Sequence, residues 1–133
     1  MIRRLIDEKV GISMTFDTWK SKGKRWYCGF TIHWTSEDFQ LKKATLAVYH
    51  MEDEEDEEIL YEHLTEAMNE FGIEAKDLVA ITHDEVSRMV NAVQNVKCHS
   101  VHCVAHMAHS SCKKFKAQTK TTLLRPCRKA VTT

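Results

Sequence analysis

Three times between Gly11 and Tyr49 the chain alternates apolar with polar residues, and only short polar breaks separate the runs. In the first run, Gly11 to Trp19, Ile12, Met14 and Phe16 alternate with Ser13, Thr15 and Asp17. In the second, Trp26, Cys28, Phe30, Ile32 and Trp34 face one way, and Tyr27, Gly29, Thr31 and His33 the other. The third runs from Phe39 to Tyr49. A period of two is that of a strand with one buried face. Links as short as Lys20-Ser21-Lys22-Gly23-Lys24 and Thr35-Ser36-Glu37-Asp38 keep consecutive strands adjacent. The pattern predicts an antiparallel meander.

The period then changes. An acidic run from Glu52 to Glu58 leads into Ile59, Leu60, Leu64, Ala67, Met68 and Phe71, which is helical spacing, with Gly72 placed to end the helix. Acids suit a helix N-terminus, so the run reads as a solvated helix start rather than a metal-binding patch. Leu78-Val79-Ala80-Ile81 is continuously apolar and predicts a strand buried on both faces. A second helix carries Val86, Met89, Val90 and Val93. A fifth strand lies around Ser100 to Cys103, and a third helix runs from Val104 to about Phe115. The order βββαβαβα implies an α/β domain with a mixed sheet, three antiparallel strands followed by parallel ones, and flanking helices. With 133 residues and 43% hydrophobic content there is material for one core. Residues 1–10 read as a lead-in, 11–115 as the core, and 116–133 as a polar, basic tail that contains the sole proline, Pro126.

A formal net charge of zero hides an asymmetry. Residues 1–85 carry all 19 acids against 10 Lys and Arg, a net of −9; residues 86–133 carry nine Lys and Arg and no acid, a net of +9. An acid-free basic segment suits a polyanion, an acidic partner or the chain's own acidic half. No apolar run approaches a membrane span or a secretory signal, so no membrane partner is expected. Five cysteines without scaffold spacing suit reduced thiols and a nuclear or cytoplasmic setting, not secretion.

Asp17 and Asp84 carry most of the functional signal. Each stands at the polar end of a strand-like run, and if those strands are neighbours the two carboxylates converge. Such oxygens are hard ligands for Mg²⁺ or Mn²⁺ in phosphoryl transfer. Asp84 has a structural alternative as N-cap of the second helix. Cys98, His99, His102, Cys103, His106, His109 and Cys112 form a separate crowd. Four of them recur every third residue along one helix, which cannot surround a tetrahedral zinc ion, and the two separated pairs of a zinc finger are missing. Cys103 and His106 remain the zinc candidates, against a buried Cys103 and a hydrogen-bonded His106. Lys20, Lys22, Lys24 and Arg25 in the first turn, and Lys113, Lys114 and Lys116 near the tail, are candidate DNA contacts or solubilising lysines. Trp19, Trp26 and Trp34 read as core.

The element order is that of the ribonuclease-H-like fold, and five motifs resemble the hAT-superfamily transposases and their domesticated zinc-finger BED relatives. Ile12 to Trp19 resembles the family's opening strand, which ends in the first catalytic Asp and a nearby Trp. Phe39-Gln40-Leu41-Lys42-Lys43 resembles its W-x-L strand, and Phe71-Gly72-Ile73 its W/F-G-I. Ile81-Thr82-His83-Asp84 is similar to I-T-x-D, where the second catalytic Asp sits. Cys103-Val104-Ala105-His106 is similar to C-x-x-H, whose His lies close to the catalytic pocket. The resemblance implies metal-dependent DNA cleavage and strand transfer, with Asp17 and Asp84 as metal ligands and His106 beside them.

There are departures. Glu85-Val86-Ser87-Arg88-Met89 replaces the family's Asn-rich stretch, and Ala108 and Ser110 stand where leucines are usual. The family's third acid comes from a late helix beyond an insertion; no acid follows Glu85 here. The resemblance thus implies a core truncated before the insertion domain and last helix, without the BED finger or dimerisation segment. The expected function is a fragment or decayed copy, inactive by itself. The alternatives are a domesticated nuclear DNA- or protein-binding module and a zinc-dependent interaction domain. DNA is the expected partner of the parent protein and self-association a further candidate; no small-molecule substrate is implied.

Overall fold

The computed structural model describes residues 1–52 and 56–130, with side chains up to residue 118, in two units, Met1–His102 and Cys103–Thr133. In the first unit the alternating runs become β1 (Ile12–Lys20), β2 (Trp26–Thr35) and β3 (Leu41–Met51), paired antiparallel as a meander. The chain then crosses back, and β4 (Leu78–His83) joins β1 in parallel, with β5 (Ser100–His102) parallel beyond it. The sheet order is β3-β2-β1-β4-β5. This is the mixed sheet that the sequence implies.

The inward residues of the sheet supply most of the core. Ile12, Met14, Phe16, Cys28, Phe30, Ile32 and Ile81 are buried together with Leu60, Leu64, Ala67 and Met68 of α2 (Glu57–Glu70) and Met89, Ala92 and Val93 of α3 (Ser87–Asn95). The Phe16 and Phe30 rings stack at 4.7 Å across the β1–β2 pair. The lead-in contains a short helix that the alternation does not signal, α1 (Ile2–Asp7), whose Ile2 joins the same cluster.

The helix ends follow their residue chemistry. Asp56 caps α2, its carboxylate accepting the Glu58 N–H at 3.2 Å, and Glu57 and Glu58 occupy the first turn. Residues 53–55 of the acidic run lie outside the described residues. At the other end Gly72 takes φ +65, and the Ile73 N–H donates to the Met68 carbonyl at 2.9 Å, so the glycine ends the helix as expected.

Several details differ from expectation. β4 is not buried throughout: Leu78, Ile81 and His83 are buried, while Val79 is 64% exposed, because the register passes from Ile12–Leu78 to Ser13–Ala80 and leaves Val79 as the extra residue of a bulge. Both α2 and α3 pack into the same core, and a bulge between Ile12 and Ser13 resets the register at the start of the β1–β4 pair. Phe39 lies before β3, in the turn, with φ +58 and 89% exposure. Trp26 and Trp34 are half-buried against the core, but Trp19 faces the other side of the sheet and is exposed.

In the second unit the helix does not stop near Phe115. α4 runs from Val104 to Ala130, through most of the segment read as a tail. Nearly all of its described side chains are exposed, so over residues 104–118 no buried stripe marks a helical period. Among the described residues no helix is long and apolar enough to cross a membrane.

Candidate metal and nucleic-acid site

The β1–β4 register places the two aspartates. The last paired residues of these parallel strands are Thr15 and Thr82. Asp17 and Asp84 each lie two positions further on, Asp17 still within β1 and Asp84 just past β4, so a continued parallel register would put them at one level on neighbouring strands, which are spaced about 4.8 Å apart. β1 turns away toward β2 on one side and β4 passes to β5 on the other. The carboxyl ends of parallel strands are the usual place for a ligand in open α/β sheets.

Asp17 stands within β1, opposite Gly29, and is exposed. Its Oδ1 accepts the Thr18 N–H at 2.9 Å. Asp84 is half-buried just past the end of β4, and its Oδ1 accepts the Glu85 N–H at 2.6 Å. It does not cap α3. That helix begins at Ser87 behind Val86, which has no side chain to accept a hydrogen bond, so Asp84 is too far upstream. Carboxylate oxygens are hard ligands, and a divalent cation between two of them would offset their like charge. The donor chemistry fits Mg²⁺ or Mn²⁺ as two protein ligands of a larger oxygen set.

Behind the carboxylates lies His83, buried to 1% exposure. Its Nδ1 is 2.7 Å from the Asp84 carbonyl and its Nε2 is 2.6 Å from Ser100 Oγ. The His102 ring meets it edge-on at 5.4 Å. Burial pushes the imidazole below its usual range; the hydrogen bond to the Asp84 carbonyl opposes that shift. Sequence reading passed over His83, although the signal was present: alternation from Ile81 puts residue 83 on the buried face.

The first-turn cations sit on a tight hairpin between β1 and β2. The Ser21 N–H donates to the Arg25 carbonyl at 2.8 Å, and the Arg25 N–H donates to Ser21 Oγ at 3.2 Å. Lys22, Lys24 and Arg25 are exposed, and Lys20 lies over the Trp26 ring at 4.9 Å. Beside them a row of rings crosses the sheet. Trp19 stacks on Tyr27 at 5.8 Å, and Tyr27 meets His50 edge-on at 5.4 Å. By strand alternation this row shares the face of Asp17.

The remaining candidates belong to the second unit. Cys103 is half-buried just ahead of α4, where its carbonyl accepts the Met107 N–H at 3.1 Å, so it is not a strand residue. His106 is half-buried in the first turn of α4; His109, Cys112, Lys113, Lys114 and Lys116 are exposed. Among the described residues no three of His, Cys, Asp and Glu come together as a metal-ligand group.

A meander followed by parallel strands, flanked by helices, with paired aspartates where the chain diverges, defines a ribonuclease-H-like domain. Residues 15–113 match the ZBED1 RNase-like domain family. Two maize (Zea mays) proteins, "Putative AC transposase" and "Putative AC9 transposase", are each 31% identical to this chain over 93 residues, 70% of its length. That stretch spans 11% of either relative. The chain belongs to the ZBED1 RNase-like domain family, a transposase-derived ribonuclease-like domain of the hAT type.

Proposed function

We propose that this chain supplies the two-aspartate half of a metal-dependent DNA-cleaving and strand-transfer site and is inactive by itself. The observation that carries this reading is the β1–β4 register, whose last pair, Thr15 with Thr82, lies two residues before Asp17 and Asp84 on the two strands. Bound there, Mg²⁺ or Mn²⁺ would polarise a phosphate oxygen and lower the pKa of an attacking water or hydroxyl. The chain's own part is to hold two hard oxygen ligands in place. The parallel strands fix their level, and the Thr18 and Glu85 amides each hold one carboxylate oxygen. Two-metal phosphodiester chemistry normally takes a third carboxylate to fix the second ion. Residues 86–133 contain no acid, and Glu85 is a poor substitute because it directly adjoins Asp84 in the chain.

The test is an NMR titration of the purified protein with Mg²⁺, and with Mn²⁺ for paramagnetic broadening. Site-specific changes at the Asp17 and Asp84 amides that vanish in Asp17→Asn support the reading. No response from the folded wild-type protein would overturn it, and DNA cleavage by this chain alone would overturn the inactivity.

The basic hairpin and the exposed ring row favour a second reading, a nucleic-acid-binding module in a larger nuclear protein. Lys22, Lys24 and Arg25 would neutralise phosphates while Trp19 offers a ring to unstacked bases. Fluorescence anisotropy with an oligonucleotide should show weak binding that falls steeply with salt. The triple change of Lys22, Lys24 and Arg25 to Ala should flatten the salt dependence by up to about three contacts' worth. Binding indifferent to salt and to these changes would count against the module.

A further inference from the structure

The buried His83 is not itself a ligand in the reading above, yet its two hydrogen bonds are specific. The Asp84 carbonyl can only accept, so Nδ1 carries the proton that bonds to it at 2.7 Å. In the neutral ring Nε2 is then an acceptor, and the Ser100 hydroxyl donates to it at 2.6 Å. One side chain thereby ties the exit of β4 both to β5 and to the backbone of the following residue.

The carbonyl it holds belongs to the peptide between Asp84 and Glu85. The N–H of that same peptide donates to Asp84 Oδ1 at 2.6 Å. A peptide unit is planar, so fixing its C=O direction fixes its N–H direction too. Asp84 and Glu85 lie outside any helix or strand, so no ladder sets this plane. We propose that His83 is a positioning residue for Asp84: by orienting the 84–85 peptide it aims the Asp84 carboxylate at the cation site it shares with Asp17. This rests on the two-aspartate reading. Its chemistry parallels the outer-shell partners of metal ligands, whose loss typically weakens affinity by about 10- to 100-fold.

Two amide substitutions separate the two hydrogen bonds. In His83→Asn the side-chain amide takes the place of Nδ1 and can still donate to the Asp84 carbonyl. In His83→Gln it reaches toward the place of Nε2 and keeps Ser100 but not the carbonyl. Ser100→Ala removes the β5 tie and leaves the carbonyl tie. Mn²⁺ affinity is read from broadening of the Asp17 amide, thermal unfolding checks that each variant folds, and Glu85 amide exchange reports the peptide without any metal.

His83→Asn and Ser100→Ala should stay within about threefold of wild type, while His83→Gln should lose at least about tenfold and exchange Glu85 faster. Equal affinities and equal Glu85 exchange in all three would overturn the positioning role while leaving the two-aspartate site standing. A loss in Ser100→Ala as large as that in His83→Gln would overturn it too, since strand pairing rather than peptide orientation would then be at work. Should His83→Gln fail to fold, His83→Asn and Ser100→Ala still decide, because a tenfold loss in either contradicts the proposal. Wild-type protein that ignores Mn²⁺ overturns the two-aspartate reading and this inference with it.

Discussion

Cys28 and Gly29 are neighbours on β2, yet they face opposite layers and make different demands. The Cys28 thiol is fully buried between sheet and helices, and burial pushes its pKa up to about 11 from 9.0. A thiol is neutral when protonated, so a raised value means the unfolded chain gives up the proton first. Stability should therefore be level below about pH 8 and decline as pH rises through 9 toward 11, by about 2–3 kcal/mol in all. Urea unfolding of wild type and Cys28→Ala at pH 7.5 and pH 10 isolates that contribution; an equal loss in both proteins would exclude it. Gly29 instead leaves room for a ring. A Cβ there would stand 2.8 Å from Trp19, so Gly29→Ala should push the indole out of its stack with Tyr27. Because Trp19 is exposed it can swing away, and the stability cost should stay near 1 kcal/mol. A near-UV circular dichroism change with an almost unchanged Tm is the expected result.

At the scale of elements, β2 is paired on both sides and carries the centre of the core. Phe30, fully buried and stacked on Phe16, should cost about 3–5 kcal/mol when cut to Ala, measured by chemical denaturation. The meander was legible because its residues face a core on one side and solvent on the other, which is what period two encodes. α2 was legible from Asp56 to Gly72, where capping and positive φ match the residue types. Apolar runs without period misled: Val79 looked buried, and the bulge opposite Ile12 and Ser13 leaves it in solvent. The length of α4 was illegible because its described side chains, up to residue 118, are nearly all exposed and print no stripe on the sequence. Of the two aspartates expected at strand ends, Asp84 does follow β4, whereas Asp17 lies inside β1, which runs on to Lys20. The capping role for Asp84 failed because a helix start three residues later cannot be placed from Asp and Ser alone.

On the scale of the whole molecule, the aspartates come from opposite sides of a long excursion. Between Asp17 and Asp84 the chain lays down β2, β3, α2 and a turn of 3-10 helix before returning to β1. The β1–β2 and β2–β3 hairpins close over short loops, whereas the β1–β4 pair must wait for that whole excursion to collapse. The carboxylate pair is therefore expected among the last features to form during refolding. After dilution from denaturant, a Mn²⁺ signal that depends on both aspartates should lag the far-UV circular dichroism. Destabilising the β4 end should lengthen that lag without slowing the hairpins. A cation at this sheet edge would thus act as a clock on folding, sensing only chains that have completed the β1–β4 closure.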